Sequence, residues 1–288
     1  MSAQSGVSVF YLGPAGRLLS VQVPLGGFDN PSNALGVLHT ALSGTQTKDV
    51  FGYKRTYTVP LDLLEPRAWS WFEMLFRGAI TPPYYLLDPR RRNRLGAAVS
   101  TTLSTVTRAS VFTPSAGSSV AAGVSAVTLL PAVGGYATQA PSSEIAWLVT
   151  TPPSTLIGEV NPLPCLPGET LCFSCYVRVG APTLEIVPYN AALVAQPPAT
   201  GTTVVAGSPN RRYVTYTVPS SGIVAVRPQL RATAVGPVNT LAWQLSDNTV
   251  PEPWVMGDGV PKVLVDQQGG HAEYLNQYTS GSFVLQEV

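Results

Sequence analysis

Cys172 and Cys175, three residues apart in LCFSCYVRV, have the spacing of half a zinc site, where two thiolates grip one tetrahedral metal. The surrounding pattern points elsewhere. Leu171, Phe173, Cys175, Val177 and Val179 alternate with Cys172, Ser174, Tyr176 and Arg178, which is the period of a half-buried strand. A strand sends the two sulfurs to opposite faces, and no second pair completes a site. Cys165 brings the total to three, too few and too odd for a disulfide framework. The expectation is packing, with no metal and no cofactor.

Acid–base chemistry has equally little to work with. His39, in the apolar run ALGVLHTAL, and His271 are the only histidines, and neither has a nearby partner for proton transfer. No nucleophile elbow, P-loop, zincin or EF-hand pattern occurs. A glycosidase needs two carboxylates facing across a cleft. Asp88 before Pro89 and Asp258 between glycines read as turn formers, and Glu185, between Leu184 and Ile186, reads as a solvent-facing strand residue. No catalytic residue is assigned, and the chain is expected not to be an enzyme. Sugar binding without catalysis needs only exposed rings and polar groups on a sheet, for which Tyr136, Trp147, Tyr176 and Tyr189 are candidates. Trp147, in IAWLV, fits a core position better, which leaves Tyr136, Tyr176 and Tyr189.

Charge narrows the partners. The 288 residues carry a formal net charge of +1, so nucleic acid, which demands a concentrated basic surface, is not expected. The basic run Arg90, Arg91, Arg92 and Arg94 reads as a solvated turn or a contact with an acidic neighbouring subunit. Charged residues make up 11% against roughly 25% in ordinary soluble domains, alongside 45% apolar residues, which suits a subunit covered by its neighbours in an assembly. The opening MSAQSGVSVFYLGPAG lacks the basic and apolar regions of a secretory signal, and no apolar run is long enough for a membrane helix. Membrane insertion is therefore not expected.

These residues need elements to hold them. Alternation predicts strands at Val7–Tyr11, Arg17–Val23 and Lys54–Val59, with Leu35–Leu42 as a strand or a helical turn and a polar connection after it. In EPRAWSWFEMLFRG, Pro66 suits the first helical turn and Gly78 a left-handed cap. Trp69, Phe72 and Phe76 recur on one face of that helix, and Asp62 with Glu65 offers a weak capping box. From Ala97 to about Val160 the chain is rich in Ser, Thr, Ala, Val and Gly, and short strands joined by turns are expected. Sharper strands follow at Leu171–Val179, Leu184–Pro188, Arg212–Val218, Gly222–Leu230 and Leu241–Ser246, spaced as in an antiparallel sandwich. PKVLVDQQGG, HAEYLNQY and GSFVLQEV supply two or three closing strands. The fold class is mainly β: a base β-sandwich with one short helix, from residues 1–96 and 259–288, interrupted by a jelly-roll sandwich at 97–258.

The aromatic helix followed by TPPYYLLDPRRRNRL resembles the minor tail proteins of long-tailed bacteriophages, particularly those of actinobacterial hosts. The second half, with CFSCYVRVG and the closing AWQLSDNTVPEPWVMGDGVP, resembles jelly-roll domains related to carbohydrate-binding modules, with Trp243 and Trp254 at the closing position. An interrupted base resembles distal tail and baseplate-hub proteins. The resemblance implies a structural part of the virion tail, made in the host cytoplasm. It would form a homo-oligomeric ring such as a hexamer that meets the tail tube and the hub or tape-measure proteins. The alternative it implies is a non-catalytic adhesion module for a host surface glycan.

Overall fold

The computed structural model describes residues 9–22, 32–40, 46–88, 91–101, 111–124, 143–201, 203–205, 210–269, 272–274 and 278–288. Along the chain come β1 (Val9–Gly13), β2 (Leu19–Gln22), β3 (Ser32–Thr40), β4 (Gln46–Leu64), α1 (Pro66–Phe76) and β5 (Tyr84–Leu87). Next are α2 (Ala97–Thr101), β6 (Thr113–Pro114), β7 (Ser118–Val124), β8 (Ser143–Val149), β9 (Ser154–Ile157) and β10 (Leu163–Pro164). Then follow β11 (Thr170–Val179), β12 (Thr183–Asn190), β13 (Ala199–Gly201), β14 (Thr203–Val205), β15 (Asn210–Thr217) and β16 (Ile223–Ala232). The chain closes with β17 (Gly236–Ser246), β18 (Lys262–Gln268), β19 (Ala272–Tyr274) and β20 (Tyr278–Glu287). The protein is mainly β, with antiparallel sheets.

Two compact units result, Met1–Asp88 with Pro261–Val288, and Pro89–Val260. In the first, the described strands form one sheet in the order β2-β1-β5-β18-β20-β4-β3, with β19 on β20. The last strands therefore sit in the middle of this sheet, β18 between β5 and β20, and β20 against β4. The Arg55 guanidinium grips Glu287 through two hydrogen bonds of 3.0 and 3.1 Å, fixing β20 on β4. The segment before Tyr53, expected as a polar connection, is strand: β4 starts at Gln46 and pairs with β3.

Helix α1 begins with Pro66 at its first position, and Glu65 as N-cap makes no side-chain capping bond. It packs Trp69 and Phe72 on Phe283 of β20, with ring centroids 5.0 and 4.8 Å apart. The third buried ring was expected at Phe76, which is exposed; Leu75 takes that place, three residues after Phe72, because 69, 72 and 75 stay on the sheet-facing side. Gly78 follows the helix with φ +68°.

The second unit is a two-sheet sandwich. One sheet runs β13-β12-β16-β9-β6 with β10 on β16, the other β14-β15-β11-β17-β8-β7. Between them lie Leu171, Phe173, Cys175 and Val177 of β11, Leu184 and Ile186 of β12, Val226 and Leu230 of β16, and Trp147 of β8. Trp243 of β17 is the centre of an aromatic group, edge-on to Phe112 at 5.1 Å and Phe173 at 5.3 Å. Cys175 belongs to this core and Cys172 does not, as the alternation requires. Burial pushes the thiols of Cys165, Cys172 and Cys175 up to about 12, so none is a ready nucleophile at neutral pH. Glu185, expected at the solvent, is covered.

Candidate functional site

Two polar clusters in the second unit hold buried charges, the first where coil segments return to β17, the second through strand alternation. The first forms where the unit begins and ends. Asn93 is 2% exposed, and its amide nitrogen donates to Ser100 Oγ at 2.8 Å, Val255 O at 2.9 Å and Trp243 O at 3.1 Å. Its side-chain oxygen accepts from the backbone N–H of Leu95 and of Leu245, both at 3.2 Å. One side chain thus ties together 93–100, β17 and 255. Gly257 completes the closure: its N–H donates to Ser100 Oγ, and a Cβ there would meet Leu95 O at 2.0 Å, so no other residue fits. Trp254 donates to Trp243 O at 3.4 Å.

The arginine run belongs to this clasp. Arg94 is buried and makes a two-pronged pair with Glu169, at 2.9 and 2.8 Å. Burial alone would lower its pKa; the Glu169 carboxylate outweighs that and leaves it raised. Arg91 pairs with Asp258 at 2.5 Å. Arg92 is exposed, and its carbonyl accepts from Gln244; Arg90 lies outside the described residues. The expected solvated turn is therefore corrected at Arg94 and Arg91, which hold the sandwich's own ends. Residues 93–95, grouped with the base by sequence, pack in the second unit for the same reason. The sequence carried no signal for Asn93 or Glu169, because the partners that make them interior, Trp243 and Arg94, lie 150 and 75 residues away.

The ring candidates are placed as follows. Trp147 is 1% exposed in the core. Tyr176 of β11 carries the Arg211 guanidinium 5.3 Å from its ring centroid, and Tyr189 of β12 carries Arg227 at 5.4 Å. Each tyrosine face therefore already has a cation on it. Arg211 also donates to Ser174 Oγ and Gln244 Oε1, both at 2.9 Å, and to Glu252 O. Tyr136 lies outside the described residues.

The second cluster is on the face of β12 and β16 that turns away from the core. Antiparallel register sets Glu185 opposite Gln229 and Val187 opposite Arg227, with Thr200 of β13 and Ile157 of β9 flanking the first pair. Because Leu184, Ile186, Val226 and Leu230 point inward, Glu185, Arg227, Gln229 and Arg231 share the other face. A chain of contacts results: Arg227 donates to Gln229 Oε1 at 3.3 Å, and Gln229 Nε2 donates to Glu185 Oε2 at 2.6 Å. Arg231 approaches Glu185 Oε1 at 3.8 Å while remaining 43% exposed. Arg227 Nε is shielded from solvent and has no acceptor among the described residues. Two guanidiniums, one carboxylate and a carboxamide offer hydrogen bonds to a polar ligand. With one carboxylate, this network lacks the facing pair that glycoside hydrolysis requires. Among the described residues no three metal-ligating side chains come together, and no helix is long and apolar enough to cross a membrane.

No protein-family model matches the chain, and no curated protein sequence does. Among solved structures, the enzymatically active domain of tailspike protein 4 of bacteriophage CBA120 is similar at TM-score 0.38 and 15% identity, over 56% of this chain and 22% of that one. The chain thus spans about a fifth of that tailspike domain's length. The C-terminal family 22 carbohydrate-binding module of Clostridium thermocellum xylanase 10B is similar at TM-score 0.32 and 15% identity, over 53% and 94%. A carbohydrate-binding module of the β-sandwich superfamily follows at TM-score 0.31 and 13% identity, over 78% and 88%. At these scores none of the three fixes what this chain does.

Proposed function

We propose that the protein is a non-catalytic structural component of a long-tailed phage tail, placed at the tip. The first unit would join copies in a closed ring, a hexamer or another cyclic arrangement, and meet the tail tube and the hub or tape-measure proteins. The second unit would stand as a self-contained inserted body. The observation that supports this most is the insertion itself. The base sheet has its last strands in the middle, and the inserted unit is sealed at its own root by Asn93, Arg94 and Gly257. Low charge is compatible with surfaces covered by neighbours.

The experiment is deletion of the gene from its phage, with electron microscopy and adsorption assays on the particles. Tails without a finished tip are expected. Complete tips on particles that no longer adsorb would overturn the structural reading in favour of adhesion.

That adhesion reading has one specific observation behind it, the half-exposed Arg231 guanidinium on the β12–β16 face, which reaches Glu185 only at 3.8 Å and so has donors to spare. Its occupant would be a host glycan, held by Arg227, Gln229 and Arg231. A glycan array with the purified protein tests it: binding lost in Arg231→Ala at unchanged melting temperature supports it, and no binding to any glycan removes it.

A further inference from the structure

A third feature lies in the first unit, away from both clusters in sequence. Arg67, Trp71 and Met74 recur at i, i+4 and i+7 along α1, and with Arg17, Leu18 and Leu19 they line an open pocket of about 390 Å³. Trp71 Nε1 donates to Leu12 O at 3.0 Å, which fixes the indole, and the Arg17 guanidinium stands 6.0 Å from its ring centroid. The pocket therefore has an apolar wall and two cations. Among the described residues neither Arg17 nor Arg67 forms an ion pair, whereas Arg77 of the same helical segment pairs with Glu73.

The pocket adjoins a sheet edge. Among the described residues β2 is the terminal strand of its sheet and pairs with β1 alone, from Leu19 opposite Leu12 to Gln22 opposite Val9. In an antiparallel pair alternate residues turn their N–H and C=O away from the partner, so among the described residues no strand takes up the outward backbone groups of β2, beside the two arginines. An extended segment added there would set side chains two residues apart on one face. One could enter the apolar wall at Trp71 while the next, if acidic, met Arg17 and Arg67.

We infer that this edge receives an extended acidic segment of a neighbouring protein, added to β2 as a further strand. A carboxylate of that segment lies between Arg17 and Arg67, and an apolar side chain rests against Trp71. Backbone pairing supplies affinity, and the cations select the acid. The inference draws on the assembly reading of the first unit only for the source of the segment.

The test uses the full chain and a labelled hexapeptide, Thr-Leu-Thr-Asp-Thr-Val, in which Leu, Asp and Val share a face. Fluorescence anisotropy should show binding, weakened about tenfold by Asn in place of Asp and by raised salt. The Arg17→Gln/Arg67→Gln variant should keep its melting temperature, since both side chains are exposed, yet lose the preference for Asp over Asn. Hydrogen exchange at 19–22 should slow on adding the peptide. Equal binding of the Asp and Asn peptides, or none up to about 1 mM, overturns the inference. So does full competition by phenylacetate with unchanged exchange in β2, which marks a small-carboxylate site. A ring that assembles without peptide binding would sink this inference alone, and peptide binding in a protein dispensable for the tip would sink only the assembly reading.

Discussion

The clasp around Asn93 and the β12–β16 face around Glu185 use the same residue types, an arginine, a carboxylate and a carboxamide, and reach opposite degrees of closure. In the clasp, Arg94 meets Glu169 through two bonds, both groups 5% exposed or less, and every named polar atom of Asn93 is used. On the sheet face, Arg231 stands 43% exposed at 3.8 Å from Glu185, and Arg227 Nε has no acceptor among the described residues. Full mutual satisfaction marks a structural joint, whereas a half-exposed guanidinium held only at long range by its carboxylate leaves donors for a ligand.

The largest effect should come from breaking the clasp. Arg94→Met alone leaves Glu169 buried without its cation and should cost about 3–5 kcal/mol, read by denaturant unfolding. The double change Arg94→Met/Glu169→Leu should recover most of that, because no charge is then stranded. A double variant as unstable as the single one would show that other contacts of Glu169, such as Leu166 N–H at 2.8 Å, carry the joint.

Asn93→Ala strands several buried backbone partners at once and should cost about 2–4 kcal/mol in the same assay. Gly257→Ala forces a methyl group onto Leu95 O and should cost about 1–3 kcal/mol, with loss of protection at the Gly257 amide in hydrogen exchange.

The sheet face should respond far less. Arg231→Ala removes a long, half-exposed contact and should change stability by at most about 1 kcal/mol. A loss as large as that of Arg94→Met would erase the contrast between the clusters.

The smallest effect is a pH dependence beside the clasp. Burial raises the Asp247 carboxyl above its ordinary range, ahead of the opposing pull of Arg94 and the added push of Glu169. A raised folded pKa favours the protonated form, so that contribution is complete below the unfolded pKa and lost as pH rises through the folded one. Asp247→Asn should therefore be slightly more stable than the wild type at neutral pH, with the gap closing toward about pH 4. A wild type that is the more stable at neutral pH would show that Arg94 dominates.

Much of the fold was legible in the chain because strands announce themselves through alternation. Thr170–Val179 and Thr183–Asn190 appear within two residues of their expected bounds, and the two cysteines separate across β11 as their spacing demands. The helix was placed by Pro66 and Gly78, while the choice between Leu75 and Phe76 depended on which side met Phe283. The polar sites were much less legible. DPRRRNRL looks like surface in sequence, and only the return of Trp243, Val255 and Gly257 to the same point makes Asn93 and Arg94 interior.

By itself the sequence determined a mainly β chain of low charge, one aromatic helix and strands that alternate, since these follow from local periodicity and side-chain type. Tertiary structure decided which arginines are held and which are free. Arg94 and Arg231 are alike in isolation, and they differ because one meets a carboxylate 75 residues on, just before β11, within a closed joint, while the other lies across a sheet face from Glu185 with solvent beside it. Burial and partner distance, which no local pattern encodes, set what each charge can do.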